Sequence, residues 1–372
     1  MKIGLPKEIM TGEGRIALTP IACKSLIASG HVVLMENNAG FNSGYGDEEY
    51  QSVGVDLLAS AQQVYARATL IVKVKQPLQC DLDHLRKHHI LFSYLHLAAD
   101  LSLVQTLCDI GLSAVPFESI TNNKGELPLL APMSQVAGRI AAIRGASLLF
   151  KNRGGRGVLL GGVDGSETGR VVVLGAGVAG SQAAAVSAAL GAHVDVLDVN
   201  ESKLKQLALR LPSINTHLST PENTELYCSN ADLVIGAVLL AGRRAPVVLQ
   251  QSVIEKMHQG SVIVDIAIDQ GGCVENIRAT SSEKLSYVEH GVIHTAVPNM
   301  PATVARTSSQ SLSTAILPYV EVLASLNATM DEDIFAVMAA SDAPVQSALY
   351  HALAIYHGEV VDDVLIREIS MN

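Results

Sequence analysis

The sequence predicts an α/β protein of two doubly wound parallel-sheet domains, and three observations carry that prediction. Apolar runs of strand length alternate with helix-length segments, the order that gives parallel sheets covered on both faces. One such run, Val171–Leu174, leads straight into G-x-G-x-x-G at Gly175, Gly177 and Gly180, where a helix should begin. At 372 residues the chain exceeds one ordinary domain, so two are the default. Both are expected to be Rossmann-like.

Taken in order, Lys2–Leu5 reads as a strand, Ala17–Ser29 as a helix stopped by Gly30, and His31–Glu36 as a second strand. A glycine-rich turn (Ala39–Gly46) precedes an acidic helix start at Asp47-Glu48-Glu49. Ala68–Lys75 is a further strand closed by Gln76-Pro77, and Ile90–Leu95 and Leu112–Pro116 continue the series. Leu130 opens a long helix reaching about Phe150, with Pro132 in the first turn, where its missing N–H matters least. The glycine runs Gly154–Gly157 and Gly161–Gly165 are loops that cross into the second domain. There, Val171–Leu174, His193–Leu197, Ala231–Val238, Ser261–Asp265 and His294–Val297 are strands, with a helix over Val178–Leu190. From Thr307 onward the pattern is helical with no further strand, so this segment is expected to complete the first domain.

Composition narrows the class. Hydrophobic residues make up 48%, aromatic residues 4%, Trp is absent and the formal charge is −10. An acidic chain without a basic tract argues against nucleic acid and anionic membrane as partners. The opening MKIGLPKE lacks the apolar core of a signal peptide, and no apolar run approaches the ~18 residues of a membrane span. Five widely spaced cysteines without C-x-x-C suit reduced thiols in a cytoplasm and supply no metal site.

The glycine motif has a mechanical reading. The first glycine permits a tight turn, the second lets the backbone approach a pyrophosphate, and the third lets the helix lie close to its strand. The helix amino terminus then holds the phosphates without a cationic side chain. Asp198 ends the next strand, near the ~20-residue offset at which an acid bonds the ribose hydroxyls. Its carboxylate would repel a 2′-phosphate, so NAD is favoured over NADP.

Four further residues lie where open α/β sheets bind ligands, in loops or at strand ends. Arg15, in Thr11-Gly-Glu-Gly-Arg-Ile16, offers a planar fork for a carboxylate. Lys75 offers a point-like cation, a role Lys73 could share. His96, after Phe92-Ser-Tyr-Leu95, and Asp269, in Asp265-Ile-Ala-Ile-Asp-Gln-Gly-Gly272, can exchange protons. The bland alternatives are a surface arginine, a solvated edge lysine, a core histidine and an aspartate that caps a turn. Beside a nicotinamide site, the four together describe oxidation of a small acid bearing a hydroxyl or amine next to its carboxylate. The residues alone do not choose between alcohol and amine.

The segments GLPKEIMTGEGRIALTP, LIVKVKQP, YLHLAAD, PLLAPMSQVAGR, GGRGVLLGG, VLGAGVAG, ADLVIGAVLLAG, VDIAIDQGGC and VPNMPATVARTS occur in this order along nearly the whole chain. In them the chain resembles the L-alanine dehydrogenases. The resemblance implies reversible NAD-dependent oxidative deamination of L-alanine to pyruvate and ammonia. It places the substrate-carboxylate binders on Arg15 and Lys75 and the catalytic pair on His96 and Asp269. Cofactor contacts fall on Ser134, Val178, Ala179, Asp198, Lys203, Ser219, Val238, Leu239, Ile266, Ala267, Ile268, Asp269, Arg278, Val297, Pro298, Asn299 and Met300. It further implies a discontinuous substrate domain, residues 1–129 with 306–372, an NAD domain over 130–305, an active site in the cleft between them, and a homohexamer. Gln135 departs from the family, which carries glutamate there; residues Glu275–Glu289 also diverge.

Three rival readings remain, and a lysine-type amino-acid dehydrogenase of related fold is the most distant dehydrogenase among them. The NAD-binding component of proton-translocating transhydrogenase shares the opening segment, but His96 in YLHLAAD and Asp269 in DIAIDQGG favour the dehydrogenase. An inactive NAD-binding sensor would bind cofactor without turnover.

Overall fold

The computed structural model describes residues 1–238, 244–281, 283–326, 337–338, 341 and 343–371. The chain divides into two compact units, Met1–Met133 with Ala302–Asn372, and Ser134–Pro301. Each has its own mixed sheet of mainly parallel strands.

In the first unit, β1 (Lys2–Leu5), β2 (Val32–Glu36), β3 (Asp56–Leu58), β4 (Leu70–Val72), β5 (Ile90–Ser93) and β6 (Ser113–Pro116) are parallel. The second unit holds β7 (Arg170–Leu174), β8 (His193–Asp198), β9 (Asn215–Leu218), β10 (Leu233–Gly236), β11 (Val262–Asp265), β12 (Tyr287–Glu289) and β13 (Val292–Thr295). Among the described residues its sheet runs β12-β13-β11-β10-β7-β8-β9, with only β12 antiparallel to its neighbour. The chain then returns to the first sheet as the hairpin β14 (Ile355–Tyr356) and β15 (Glu359–Val360), giving the order β15-β14-β6-β5-β4-β1-β2-β3. Within each sheet the first strand sits centrally, and strand order reverses beside it, between β1 and β4 and between β7 and β10. Ligands of open α/β sheets bind at the carboxyl ends of strands at such switch points.

The central strands β4, β5, β10 and β11 are buried along their whole length, which explains their continuous apolar sequences. In the first core, Ile3, Leu5, Val72 and Phe92 meet Leu312, Ile316 and Val320 of the helix Ala305–Leu326. That helix also ties down the loop after residue 12. Ser309 Oγ accepts the Ile16 N–H at 2.9 Å, and Ser313 Oγ accepts the Thr19 N–H at 3.0 Å.

Three readings from sequence are corrected. The strand expected over Ala68–Lys75 ends at Val72, because the Val74 and Lys75 N–H groups turn to the Glu8 carboxylate. The first helix begins at Pro20, not Ala17; Thr19 takes the extended N-cap position and Pro20 the first helical one. The segment after Thr307 is not wholly helical, since β14 and β15 close on a His357-Gly358 turn with φ of 47° and 85°. Two-residue strands carry no periodic signal, and the apolar helix Pro344–His351 that precedes them masked the change. Strands β3, β9 and β12, each short and half polar, were not anticipated either. Among the described residues no helix is long and apolar enough to cross a membrane.

Candidate active site

Arg15 is not a surface arginine. It is 3% exposed, and its guanidinium is gripped along one edge by Glu13, with Nε donating to Oε1 at 2.7 Å and Nη2 to Oε2 at 2.5 Å. Glu13 Oε1 also accepts the Arg15 backbone N–H at 3.0 Å, and Nη1 reaches Met133 Sδ at 3.1 Å. This two-point pair fixes the plane of the guanidinium, the property that suits arginine to bidentate carboxylate recognition.

Lys75 and His96 follow adjacent strands of the same sheet. Lys75 is half-buried in a bend just past β4, with its N–H donated to Glu8 Oε1 at 3.3 Å. His96 is not a core residue: its side chain is 48% exposed. It sits at φ 52°, a left-handed conformation uncommon for a residue with Cβ. Glu118, at the end of β6, holds it there by accepting the His96 N–H and, at 3.2 Å, the Leu95 N–H. The His96 Nδ1 lies 3.9 Å from the same carboxylate oxygen. Tyr94, whose ring lies nearly parallel to the imidazole, donates its hydroxyl to Leu129 O at 2.6 Å; burial pushes that phenol up.

In the second unit, Asp269 lies exposed on the short turn Ile266–Gln270 that follows β11. Both carboxylate oxygens accept the Asn299 N–H at 3.2 Å, so Asp269 and the segment Val297–Met300 are joined. Asp265, fully buried, shapes this turn: Oδ1 accepts the Ala267 N–H and Oδ2 the Cys273 N–H, both at 2.8 Å. Burial raises the Asp265 pKa, and the backbone N–H groups oppose that rise.

The glycine loop is built as a cradle. Gly175 has φ 106°, and a Cβ there would stand 2.6 Å from Ala237 O; one on Gly180 would stand 1.8 Å from Gly175 O. Both glycines are required by the protein's own backbone. Gly177 differs, because among the described residues nothing lies within 4 Å of where its Cβ would be. It is the N-cap of the helix Val178–Ala189, and among the described residues no side chain caps that end. Uncapped N–H groups beside an open glycine fit the pyrophosphate of a dinucleotide. Asp198, half-buried, completes the loop: Oδ2 accepts the Ala176 N–H at 2.7 Å and Oδ1 the Asn200 N–H at 2.8 Å. The carboxylate is thus held against the glycine turn rather than merely solvated.

The remaining candidates spread around this loop. Ser219, half-buried, donates its N–H to Asp198 O at 2.9 Å, and exposed Lys203 lies in the first turn of the helix Glu201–Arg210. Val238 follows β10, directly after the Ala237 carbonyl that meets Gly175, while Leu239 lies outside the described residues. Arg278 stacks on the Tyr287 ring at 4.4 Å and pairs with Glu289 at 3.0 Å. Ser134 is half-buried and Gln135 exposed in the first turn of the helix Ala131–Leu148. Sequence reading left out Glu13, Glu118 and Asp265, the carboxylates that hold Arg15, His96 and the Asp269 turn. Only their adjacency to the candidate segments could have flagged Glu13 and Asp265; Glu118 is brought in by β6.

The family descriptions "Alanine dehydrogenase/PNT, N-terminal domain" and "Alanine dehydrogenase/PNT, C-terminal domain" match residues 4–137 and 141–362. The chain belongs to the alanine dehydrogenase/PNT family. Alanine dehydrogenase of Bacillus subtilis (strain 168) is 42% identical over 372 residues, covering 100% of this chain and 95% of that protein. Alanine dehydrogenase 2 of Staphylococcus aureus (strain USA300) is 44% identical over 326 residues, 87% of each chain. A solved L-alanine dehydrogenase superposes with a TM-score of 0.93 at 40% identity, covering 100% of this chain and 99% of the other. A transhydrogenase from Sinorhizobium meliloti, at 23% identity over 98% of this chain and 100% of its own, shares the fold with a TM-score of 0.82.

Proposed function

We propose that the protein is an NAD-dependent amino-acid dehydrogenase that converts L-alanine and water to pyruvate and ammonia, reversibly. The observation that carries this reading is the full-length relationship to alanine dehydrogenases, in a chain that retains Arg15, Lys75, His96 and Asp269. The geometry agrees with it. The first unit, as the substrate domain, brings a clamped guanidinium and a lysine for the carboxylate, plus an exposed imidazole for proton transfer. The second, as the NAD domain, brings the glycine cradle and Asp198, whose charge disfavours a 2′-phosphate, with the loop residues of the preceding section as further contacts.

Arg15 and Lys75 anchor the alanine carboxylate, and Glu13 keeps the guanidinium in plane. Bound NAD supplies a hydride acceptor for the substrate Cα. Loss of hydride leaves an iminium on the substrate carbon. Asp269 assists water in attacking that carbon, and His96 bonds the new oxygen and relays its proton as ammonia departs and the carbonyl forms. Holding both reactants in one geometry supplies much of the rate. The assembly is a homohexamer in the cytoplasm, checked by light scattering on the purified protein.

The test is appearance of NADH with L-alanine, beside D-alanine, L-lactate and L-lysine, with NAD and NADP in parallel. Turnover with L-alanine and NAD alone is expected. Cofactor binding without turnover on any amino acid, together with hydride exchange to NADP on added partner subunits, would move the assignment to a transhydrogenase component.

A further inference from the structure

Two lysines stand two residues apart after β4, and the structure separates their tasks. In a regular strand Lys73 and Lys75 would share one face. Here Lys73 is 1% exposed, with Nζ 3.5 Å from Glu8 Oε2 and 3.4 Å from Asp81 Oδ2. Asp81 also takes the Tyr65 hydroxyl at 2.8 Å and the Leu78 N–H at 3.0 Å. The charge of Lys73 is therefore met inside the protein.

Glu8 is the centre of this arrangement. It lies just past β1, which is parallel to β4 in register Ile3 to Leu70 and Gly4 to Ile71, so the two exits emerge side by side at the switch point. One Glu8 oxygen faces Lys73, while the other accepts the Val74 N–H at 2.6 Å and the Lys75 N–H at 3.3 Å. A carboxylate here takes the place of a neighbouring strand. Desolvation pushes the Glu8 carboxyl upward, and Lys73 pulls against that rise.

We propose that Glu8, oriented by Lys73, is a positioning residue that bends the chain at Val74-Lys75 and so presents Lys75 to the substrate carboxylate. This rests on the amino-acid dehydrogenase reading above. A glutamine at position 8 cannot serve both sides: with its oxygen toward the N–H groups, its amide nitrogen meets the Lys73 ammonium. Removing that ammonium lifts the conflict, and a single amide oxygen can then accept both N–H groups.

The experiment compares wild type, Glu8→Gln, Glu8→Ala and the double variant Glu8→Gln/Lys73→Met. KM for L-alanine, kcat, NADH affinity by fluorescence and Tm are measured on each. Glu8→Gln and Glu8→Ala should raise KM on the order of tenfold with NADH affinity unchanged. The double variant should bring KM back toward wild type, a rescue that general loss of stability would not produce. Wild-type KM in both single variants, or a double variant no better than Glu8→Gln, overturns the proposal. Wild-type turnover of L-alanine in the same assay decides the functional reading separately.

Discussion

The two switch points are alike in topology and opposite in construction. Between β7 and β10 the crevice is made of backbone: Gly175 folds against the Ala237 carbonyl, Gly180 against the Gly175 carbonyl, and Gly177 meets no described residue where its Cβ would be. Between β1 and β4 the corresponding place is filled by side chains, with Glu8 taking two N–H groups and pairing with buried Lys73. One strand order thus makes a phosphate cradle where glycines keep the loop bare, and a charged support where a glutamate fills it. The lesson is that topology supplies the crevice and loop chemistry decides its use.

The largest test of this contrast removes the proton-transfer groups. His96→Ala should lower kcat on the order of 10²–10⁴-fold with NADH affinity nearly kept, and Asp269→Asn should lower kcat by a similar factor. Equal loss of kcat and of NADH binding would erase the division of labour. Next come the glycines, which should separate fold from binding. Gly180→Ala drives a methyl into a carbonyl, so it should lower Tm by several degrees and abolish NADH binding. Gly177→Ala meets no atom of the described residues and should leave Tm unchanged while weakening NADH roughly tenfold. A Tm drop as large at Gly177 as at Gly180 would contradict the cradle.

Asp198→Asn should act more gently. It keeps an acceptor for the Ala176 N–H but removes the charge, so NAD-over-NADP preference should fall roughly tenfold in kcat/KM. Undiminished preference would mean that Asp198 only braces the loop.

The smallest effect on turnover belongs to the first unit's scaffold. Buried His89 accepts the Arg86 N–H on Nδ1, leaving Nε2–H to donate to Tyr65 O. Burial, with lesser push from His88 and Arg86, lowers it from the ordinary 6.5 to about 4. A depressed folded-state value stabilises the neutral form. That stability is present above pH 6.5 and is lost as pH falls toward about 4, on the order of 2–3 kcal/mol at most. Unfolding melts from pH 7 to 4 should therefore flatten in His89→Gln, whose own Tm at pH 7 is lower; a wild-type slope there would assign the acid loss to other groups.

The same contrast explains what the sequence disclosed. The glycine loop was legible because backbone function leaves a local signature: three glycines at fixed offsets after an apolar run, with Asp198 near the expected distance. Arg15, Lys75, His96 and Asp269 were legible as residues at loop and strand ends, and the resemblance gave them their roles. Their supports were not. Glu118 reaches His96 across 22 positions and Glu8 reaches Val74 across 66, and neither spacing leaves a periodic trace. The end of β4 at Val72 was invisible for the same reason, since Val-Lys-Val-Lys has a strand's alternation and the Val74 and Lys75 N–H groups go to the distant Glu8. The hairpin after residue 354 was lost to its brevity.

The most direct test of the account is one pair of numbers from one variant, Arg15→Lys: KM for L-alanine and Kd for NADH. Lysine keeps the charge and can still meet Glu13, but loses the planar fork. The account predicts a KM raised tenfold or more, on the order expected for a lost bidentate contact, with Kd for NADH unmoved. An unchanged KM, or a Kd that rises in step with it, would contradict the claim that side chains of the first unit hold the substrate while the second unit holds the dinucleotide.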